Sequence, residues 1–421
     1  MNDELREVIE KQIERFNPQE PLFLLIDYFR VRFPTTDALA IIRDVLQLKS
    51  DYMLYEDYGK YGYESKYVLG DINIMCSMQE HLGVLLELKG NCNMCYVRMS
   101  REEMEEVGRL RTMEEWTKTA EDMMKAGTLF VLLTGGEPLL YPHFRELYQK
   151  LRELGMIITI NTNGTLIDEA WADFFAENKP RRINITLYGA SNETYERLCH
   201  YPGGFDKAVN GIRLLRERNI DVKVNGSLAK ANVDDRMKII ELGESLDAPV
   251  RIDTYMYPSV RERNHAYNNQ ARLDPEMAAK ARVEVLQREM GEEVFAQYRK
   301  IQLDEAENTP EGESVPGQMA CRAGKSSFVV NWQGEMRSCV VLDKPSIPLR
   351  DVEFEEAWEF TKKETESLRI SARCSSCKLR KVCNTCVAAA IAETGKADGV
   401  PEYLCRYTEA TVRYLKETSK K

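Results

Sequence analysis

The chain has 421 residues, 43% hydrophobic and 30% charged, with a formal net charge of −10; that length suggests two or three domains, and the composition is that of a globular protein with ample core. The acidic balance argues against duplex nucleic acid as a partner, because no concentrated basic patch offsets it. The acidic start, Met1-Asn-Asp-Glu-Leu-Arg-Glu7, is no signal peptide and no run nears about 18 apolar residues, so neither export nor a membrane span is expected.

Residues 1–80 read as an N-terminal helical segment. Asn2–Phe16 places Leu5, Val8, Ile9, Ile13 and Phe16 on one face, Pro18 and Pro21 interrupt, and Leu22–Phe33 and Thr36–Leu48 form two more amphipathic helices. Tyr52–Tyr67 is an irregular, tyrosine-rich connector. A cap packed on the main domain is the plainer reading, and a docking platform for a peptide the alternative.

Residues 81–258 alternate strand and helix. Strands are predicted at Val84–Leu88, Leu129–Leu133, Ile157–Asn161, Ile183–Tyr188, Val222–Leu228 and Val250–Tyr255. Helices are predicted at about Arg101–Ala126, at His143–Leu154, from Asp168, through Tyr195, and at Phe205–Arg218 and Asp234–Leu246. This alternation argues for parallel βα units with right-handed crossovers. Polar and glycine-rich stretches follow each of the first four strands, on one rim. The expected fold class is therefore α/β, a partial (βα)6 TIM-like barrel with its site on that rim. Residues 259–316 form a helical linker, with a long helix near Pro275–Lys300 and an acidic connector at Asp304–Pro316. Residues 317–421 form a cysteine-rich iron–sulfur domain ending in a helix at Glu409–Lys416. Within it, Ser327–Cys339 reads as a hairpin turning at Gln333-Gly334.

Eleven cysteines without an export signal favour metal or redox chemistry over disulfides. The four histidines lie outside every Cys-x2-Cys neighbourhood, so ligation by thiolates alone points to iron–sulfur or four-cysteine zinc sites. Two loops carry the chemistry of the barrel rim. The first strand runs into Cys92-Asn-Met-Cys95. The second ends in Thr134-Gly135-Gly136-Glu137-Pro138, whose glycines let the backbone approach a ligand. Its carbonyls and Glu137 offer acceptors for an ammonium group. Alone this would be a tight turn, but beside a thiolate loop it reads as a site.

These stretches resemble the radical S-adenosylmethionine (SAM) enzymes. Leu88-Lys89-Gly90-Asn91-Cys92-Asn93 with Cys95-Tyr96 looks like their cluster loop. Thr134–Pro138 matches their Gly-Gly-Glu-Pro motif, Asn161–Thr165 their strand-3 motif, and Thr186-Leu187-Tyr188-Gly189 sits where many members have Ser-Leu-Asp-Gly. The resemblance implies three thiolates on a 4Fe-4S cluster with one open iron, which SAM chelates. One electron then yields a 5′-deoxyadenosyl radical that abstracts hydrogen. It makes Cys92 and Cys95 cluster ligands, Tyr96 the adenine contact, and Gly135, Gly136, Glu137 and Pro138 the receiver of the methionine amine. Asn163 and Thr186 become ribose or carboxylate contacts.

The chain departs from the family spacing Cys-x3-Cys-x2-Cys at one point: the flanks align best with Cys92 first and Cys95 third, so that the middle cysteine is missing, while spacing alone also allows Cys92 as the second ligand with Leu88 in place of the first. Either a short stretch carrying it is deleted, or a distant thiolate (Cys76 or Cys199) replaces it, or the site has lost SAM cleavage. The intact neighbouring motifs favour the first. For Cys76 and Cys199 a small buried hydrophobe is the plainer role.

Seven cysteines crowd the last quarter: Cys321, Cys339, Cys374, Cys377, Cys383, Cys386 and Cys405. The residues leave zinc ribbons as an alternative. The pattern resembles the SPASM accessory domain, which implies two auxiliary 4Fe-4S clusters. Cys374, Cys377, Cys383 and Cys405 would hold the outer one, and Cys321, Cys339 and Cys386 the inner one. By the same resemblance the enzyme is a cytoplasmic oxidoreductase that oxidises or crosslinks a peptide or small protein. Its electrons would come from an external donor such as flavodoxin or ferredoxin.

Overall fold

The computed structural model describes residues 111–128, 130–258, 271–308, 323–325 and 327–418, together with the backbone of 72–76. Its centre is a sheet whose first six strands lie in chain order and pair in parallel. They are β1 (Ile72–Cys76), β2 (Phe130–Gly135), β3 (Ile157–Thr162), β4 (Arg182–Leu187), β5 (Val222–Ser227) and β6 (Val250–Asp253). The helices between them are α1 (Met113–Lys125), α2 (Phe144–Glu153), α3 (Glu169–Glu177), α4 (Asn192–Cys199), α5 (Gly204–Glu217) and α6 (Arg236–Ser245). This is the expected α/β partial barrel.

Strand periodicity separates its two faces. In β4, Ile183, Ile185 and Leu187 are fully buried and join the core beneath the helices, whereas Asn184 and Thr186 are half-buried on the other side. β3 and β5 repeat the pattern with Thr159 and Asn161, and with Lys223, Asn225 and Ser227. Successive side chains must alternate faces. A closed barrel fills its interior with branched apolar side chains. Here the inner face is polar, so it is suited to line a binding cavity.

The first strand differs from expectation. Ile72–Cys76 occupies that position, in register with Ile72 opposite Val131 and Cys76 opposite Gly135. Val84–Leu88 lies outside the described residues, as do the three N-terminal helices. The register of Ile72–Cys76 is set by its pairing with β2 on one side and β7 on the other. Helix α1 begins at Met113 rather than near Arg101 because Thr112 forms a capping box with Glu115.

The sheet continues past β1 into the C-terminal region. β7 (Val329–Val330) pairs in parallel with β1, and β8 (Glu335–Arg337) and β9 (Ser346–Pro348) extend it antiparallel to nine strands. The predicted turn is present, with Gly334 at φ +82. Strand β6 stops two residues early because the next side chains turn to the C-terminal region. Thr254 Oγ1 and Tyr407 share a hydrogen bond of 2.8 Å, and the Tyr255 hydroxyl donates to Glu393.

The long helix α7 (Pro275–Asn308) breaks at Gly291 and overruns the predicted connector. Leu303 and Ala306 supply apolar contacts there, and the acidic residues form its wet face. The last elements are α8 (Phe354–Ser367), α9 (Ala372–Ser375), α10 (Val387–Thr394) and α11 (Glu402–Glu417). α11 starts seven residues before the predicted Glu409 because Leu404 and Tyr407 are buried. The two regions are locked by Arg272, 7% exposed, which pairs bidentately with Glu393 of α10 and lies 3.3 Å over the Tyr403 ring. No helix among the described residues is long and apolar enough to cross a membrane.

One close approach positions the rim. Gly164, at φ +74, follows β3, and α5 passes so near that a Cβ on Gly211 would sit 2.5 Å from the Gly164 carbonyl oxygen. Gly211→Ala should therefore cost about 1–3 kcal/mol and lower the thermal midpoint. An unchanged midpoint would contradict this packing.

Candidate functional site

The turn after β2 is held by one buried carboxylate. Glu137, 1% exposed, caps a short 3-10 helix at Pro138–Leu140 and accepts from Leu139 N at 3.1 Å. It also accepts from Thr162 Oγ1 at 2.7 Å and from Asn163 N at 2.8 Å, both beyond its own strand. Burial pushes this carboxyl up to about 7, and the three donors pull the other way without overcoming it. The expectation that Glu137 presents its carboxylate to an ammonium group is therefore modified. The carboxylate points into the protein and ties two rim loops together. Gly136 is exposed at the turn, so the backbone there, and not the Glu137 side chain, is open to solvent.

The loop after β3 is stiffened in turn. Asn163 Oδ1 accepts from both the amide (2.8 Å) and the hydroxyl (2.7 Å) of Thr165, and Gly164 N donates to Thr162 Oγ1 at 3.1 Å. Its side-chain oxygen is thus engaged within the loop. Thr186 lies half-buried on the inner face of β4, in register with Asn225. Asn184 Nδ2 donates to Asn161 Oδ1 at 2.7 Å across that face. Asn161, Asn184 and Asn225 were not among the residues singled out from sequence. An asparagine at an alternating position in three successive apolar strands is the signal that marks them.

Lys223 neighbours this row, and its ammonium is pushed below its usual range by burial, then by Arg251 and Arg182. Cys92, Cys95, Tyr96 and Cys321 lie outside the described residues. Of the two distant thiols, Cys76 ends β1 opposite Gly135, at the rim. Cys199 is buried in α4 beside Leu198 and Ala229, in the core role expected of it.

The C-terminal cysteines converge in two groups. Cys374, Cys377, Cys383 and Cys405 line one pocket of about 90 Å³. Burial pushes the Cys374 thiol up, as do Cys383 and Cys377. Cys405 is pushed up to about 11 by burial, Glu402, Cys374 and Cys383. These thiols therefore sense one another. Among the described residues, no three cysteine, histidine or acidic side chains close on a single ion point. Four thiols around one cavity are the donor set that a thiolate-ligated metal centre needs, whether an iron–sulfur cluster or a four-cysteine zinc. Cys339 and Cys386 do not line that pocket but pack on a small apolar cluster that includes Cys374 itself and also touches Tyr257 of the barrel, and Val341 N donates to Cys339 Sγ at 3.4 Å.

Comparison with known proteins agrees with this layout. Residues 89–243 match the Radical SAM superfamily. Residues 23–108 also match the Rolling Circle replication initiation protein N-terminal domain, over a stretch of which only the β1 backbone is described. The AdoMet-dependent heme synthase of Methanosarcina barkeri is 24% identical over 73% of this chain and 92% of that protein. The PqqA peptide cyclase of Rhodopseudomonas palustris is 27% identical over 47% of this chain and 52% of that protein. The structure of native anSMEcpe with bound AdoMet and Cp18Cys peptide superposes with a TM-score of 0.56 at 18% identity, covering 83% of this chain and 99% of that one. Residues 89–243 are thus similar to the radical SAM superfamily, and the fold of the chain, with its cysteine-rich C-terminal region, is similar to that of anSMEcpe.

Proposed function

We propose that the protein is a SAM-dependent oxidoreductase that oxidises or crosslinks residues in a peptide or small protein. The observation carrying this reading is the four-cysteine pocket on a region joined to the end of β6 by the Thr254–Tyr407 and Tyr255–Glu393 hydrogen bonds. A 4Fe-4S cluster bound at the rim would supply the one-electron chemistry of SAM cleavage, and two auxiliary clusters would supply electron acceptors for substrate oxidation. Cys92 and Cys95 would hold the rim cluster, and Tyr96 would pack on the adenine. The Gly135–Pro138 backbone would receive the SAM amine, with Asn163 and Thr186 beside the ribose or carboxylate. Cys374, Cys377, Cys383 and Cys405 would hold the outer auxiliary cluster, and Cys321, Cys339 and Cys386 the inner one. An external donor such as flavodoxin or ferredoxin would supply the electron.

The peptide is the substrate class that the anSMEcpe and PqqA cyclase likenesses support. A second reading has its own observation: the heme synthase likeness covers nearly all of that relative, which favours a tetrapyrrole. Anaerobically loaded protein given SAM, reductant and either a library of small peptides or iron coproporphyrin separates the two. Loss of two hydrogens from the peptide supports the first reading. Oxidation of the porphyrin alone would overturn it.

Iron counting tests the outer site. Cys374→Ala with Cys377→Ala should remove about four irons and leave the barrel folded. An unchanged iron count would refute the assignment.

Glu137 gives two further expectations. Glu137→Ala strands three donors, loosens both loops and should weaken SAM binding while the iron of the C-terminal site stays constant. Loss of that iron would count against the role. The folded carboxyl also titrates near 7, above its ordinary value of 4.5. Its contribution to stability is therefore complete below pH 4.5 and fades as pH rises through about 7, a swing of about 3 kcal/mol. Glu137→Gln should flatten the fall of thermal midpoint over that window. A slope equal to that of the unmodified protein would contradict the assignment.

A further inference from the structure

Two polar atoms in the wall of the four-cysteine pocket have no protein partner. Arg380 Nε and Thr385 Oγ1 are both shielded from solvent and unbonded, and both residues line the pocket beside Cys374, Cys377, Cys383 and Cys405. Thr385 as a whole is 3% exposed. The arginine is held in place: one terminal nitrogen donates to the carbonyls of Cys383 and Thr385 at 3.3 Å each, and its backbone N donates to the Cys377 carbonyl at 2.8 Å. Its Nε–H is therefore left over from an anchored group.

An unpaired buried donor costs about 1–3 kcal/mol. Two of them in one cavity, between residues suited to hold a cluster, indicate an acceptor that belongs there. The sulfur atoms of an iron–sulfur cluster carry negative charge and accept such bonds, and hydrogen bonds to them help set its potential. We propose that Arg380 Nε–H and Thr385 Oγ1–H donate to sulfur atoms of the outer auxiliary cluster and hold its reduction potential up. The direction follows from charge. The one-electron reduced cluster is the more negative state, so two donors and a guanidinium stabilise it more than the oxidised state. This rests on the outer-cluster assignment made above.

The test is an EPR-monitored redox titration of the full chain, reconstituted without air and reduced with dithionite. It follows the signal that Cys374→Ala with Cys377→Ala removes, and iron is counted in parallel. Thr385→Val and Arg380→Gln should keep their iron. Each should lower the reduced-to-oxidised ratio at a fixed potential about tenfold, a shift of about 59 mV for one electron. Thr385→Ser should restore the original value. Full iron with an unmoved midpoint in both variants would overturn the proposal, as would loss of iron from Thr385→Val or failure of Thr385→Ser to restore the midpoint. Should Arg380→Gln shed iron because the arginine also braces the ligand loop, the Thr385 pair decides alone. Absence of both iron and signal from the unmodified protein would instead remove the cluster assignment itself.

Discussion

The rim of this barrel depends on one carboxylate. Glu137 leaves β2, turns back into the protein and takes hydrogen bonds from its own turn and from the loop that follows β3. Desolvation raises the cost of its charge, and three donors offset part of that cost. The loops after β2 and β3 are thus fixed to each other rather than each to its own strand. The glycines on either side complete the arrangement. Gly136 leaves the backbone open, and Gly164 with Gly211 brings α5 against the second loop.

Beneath that rim the sheet separates its tasks by face. Apolar residues of β3, β4 and β5 bury against the helices and supply stability, while their alternate positions carry asparagine, threonine, serine and one lysine toward the cavity. The same sheet reaches the cysteine region through β7, which pairs with β1 at the barrel edge. Arg272 and Glu393 fasten the other side. The pair is nearly dry, and breaking a buried pair by removing one partner is far more disruptive than its net contribution suggests. It is therefore a device for holding two sites in fixed relation.

Much of this was legible in the residues. The barrel from β2 to β6 follows from period-two strands and capped helices, and the second cysteine group from thiolate-only spacing. The four outer cysteines share a pocket because α11 starts at Glu402 and brings Cys405 to the others. What was not legible depends on tertiary pairing. Ile72–Cys76 is a five-residue run with little pattern of its own, and its place in the sheet depends on pairing with β2. The inward turn of Glu137 depends on β3, twenty-five residues away. Acidic residues near Asp304 read as a connector because the apolar side of that turn, Leu303 and Ala306, is thin.

The central claim is that this rim, with Glu137 as its brace, binds SAM beside iron. The most direct measurement is 5′-deoxyadenosine released when the full chain, loaded with iron and sulfide under anaerobic conditions, is reduced in the presence of SAM. The account predicts nucleoside formation that depends on iron, reductant and SAM together. A protein that holds iron in its C-terminal pocket yet neither binds nor cleaves SAM would contradict it.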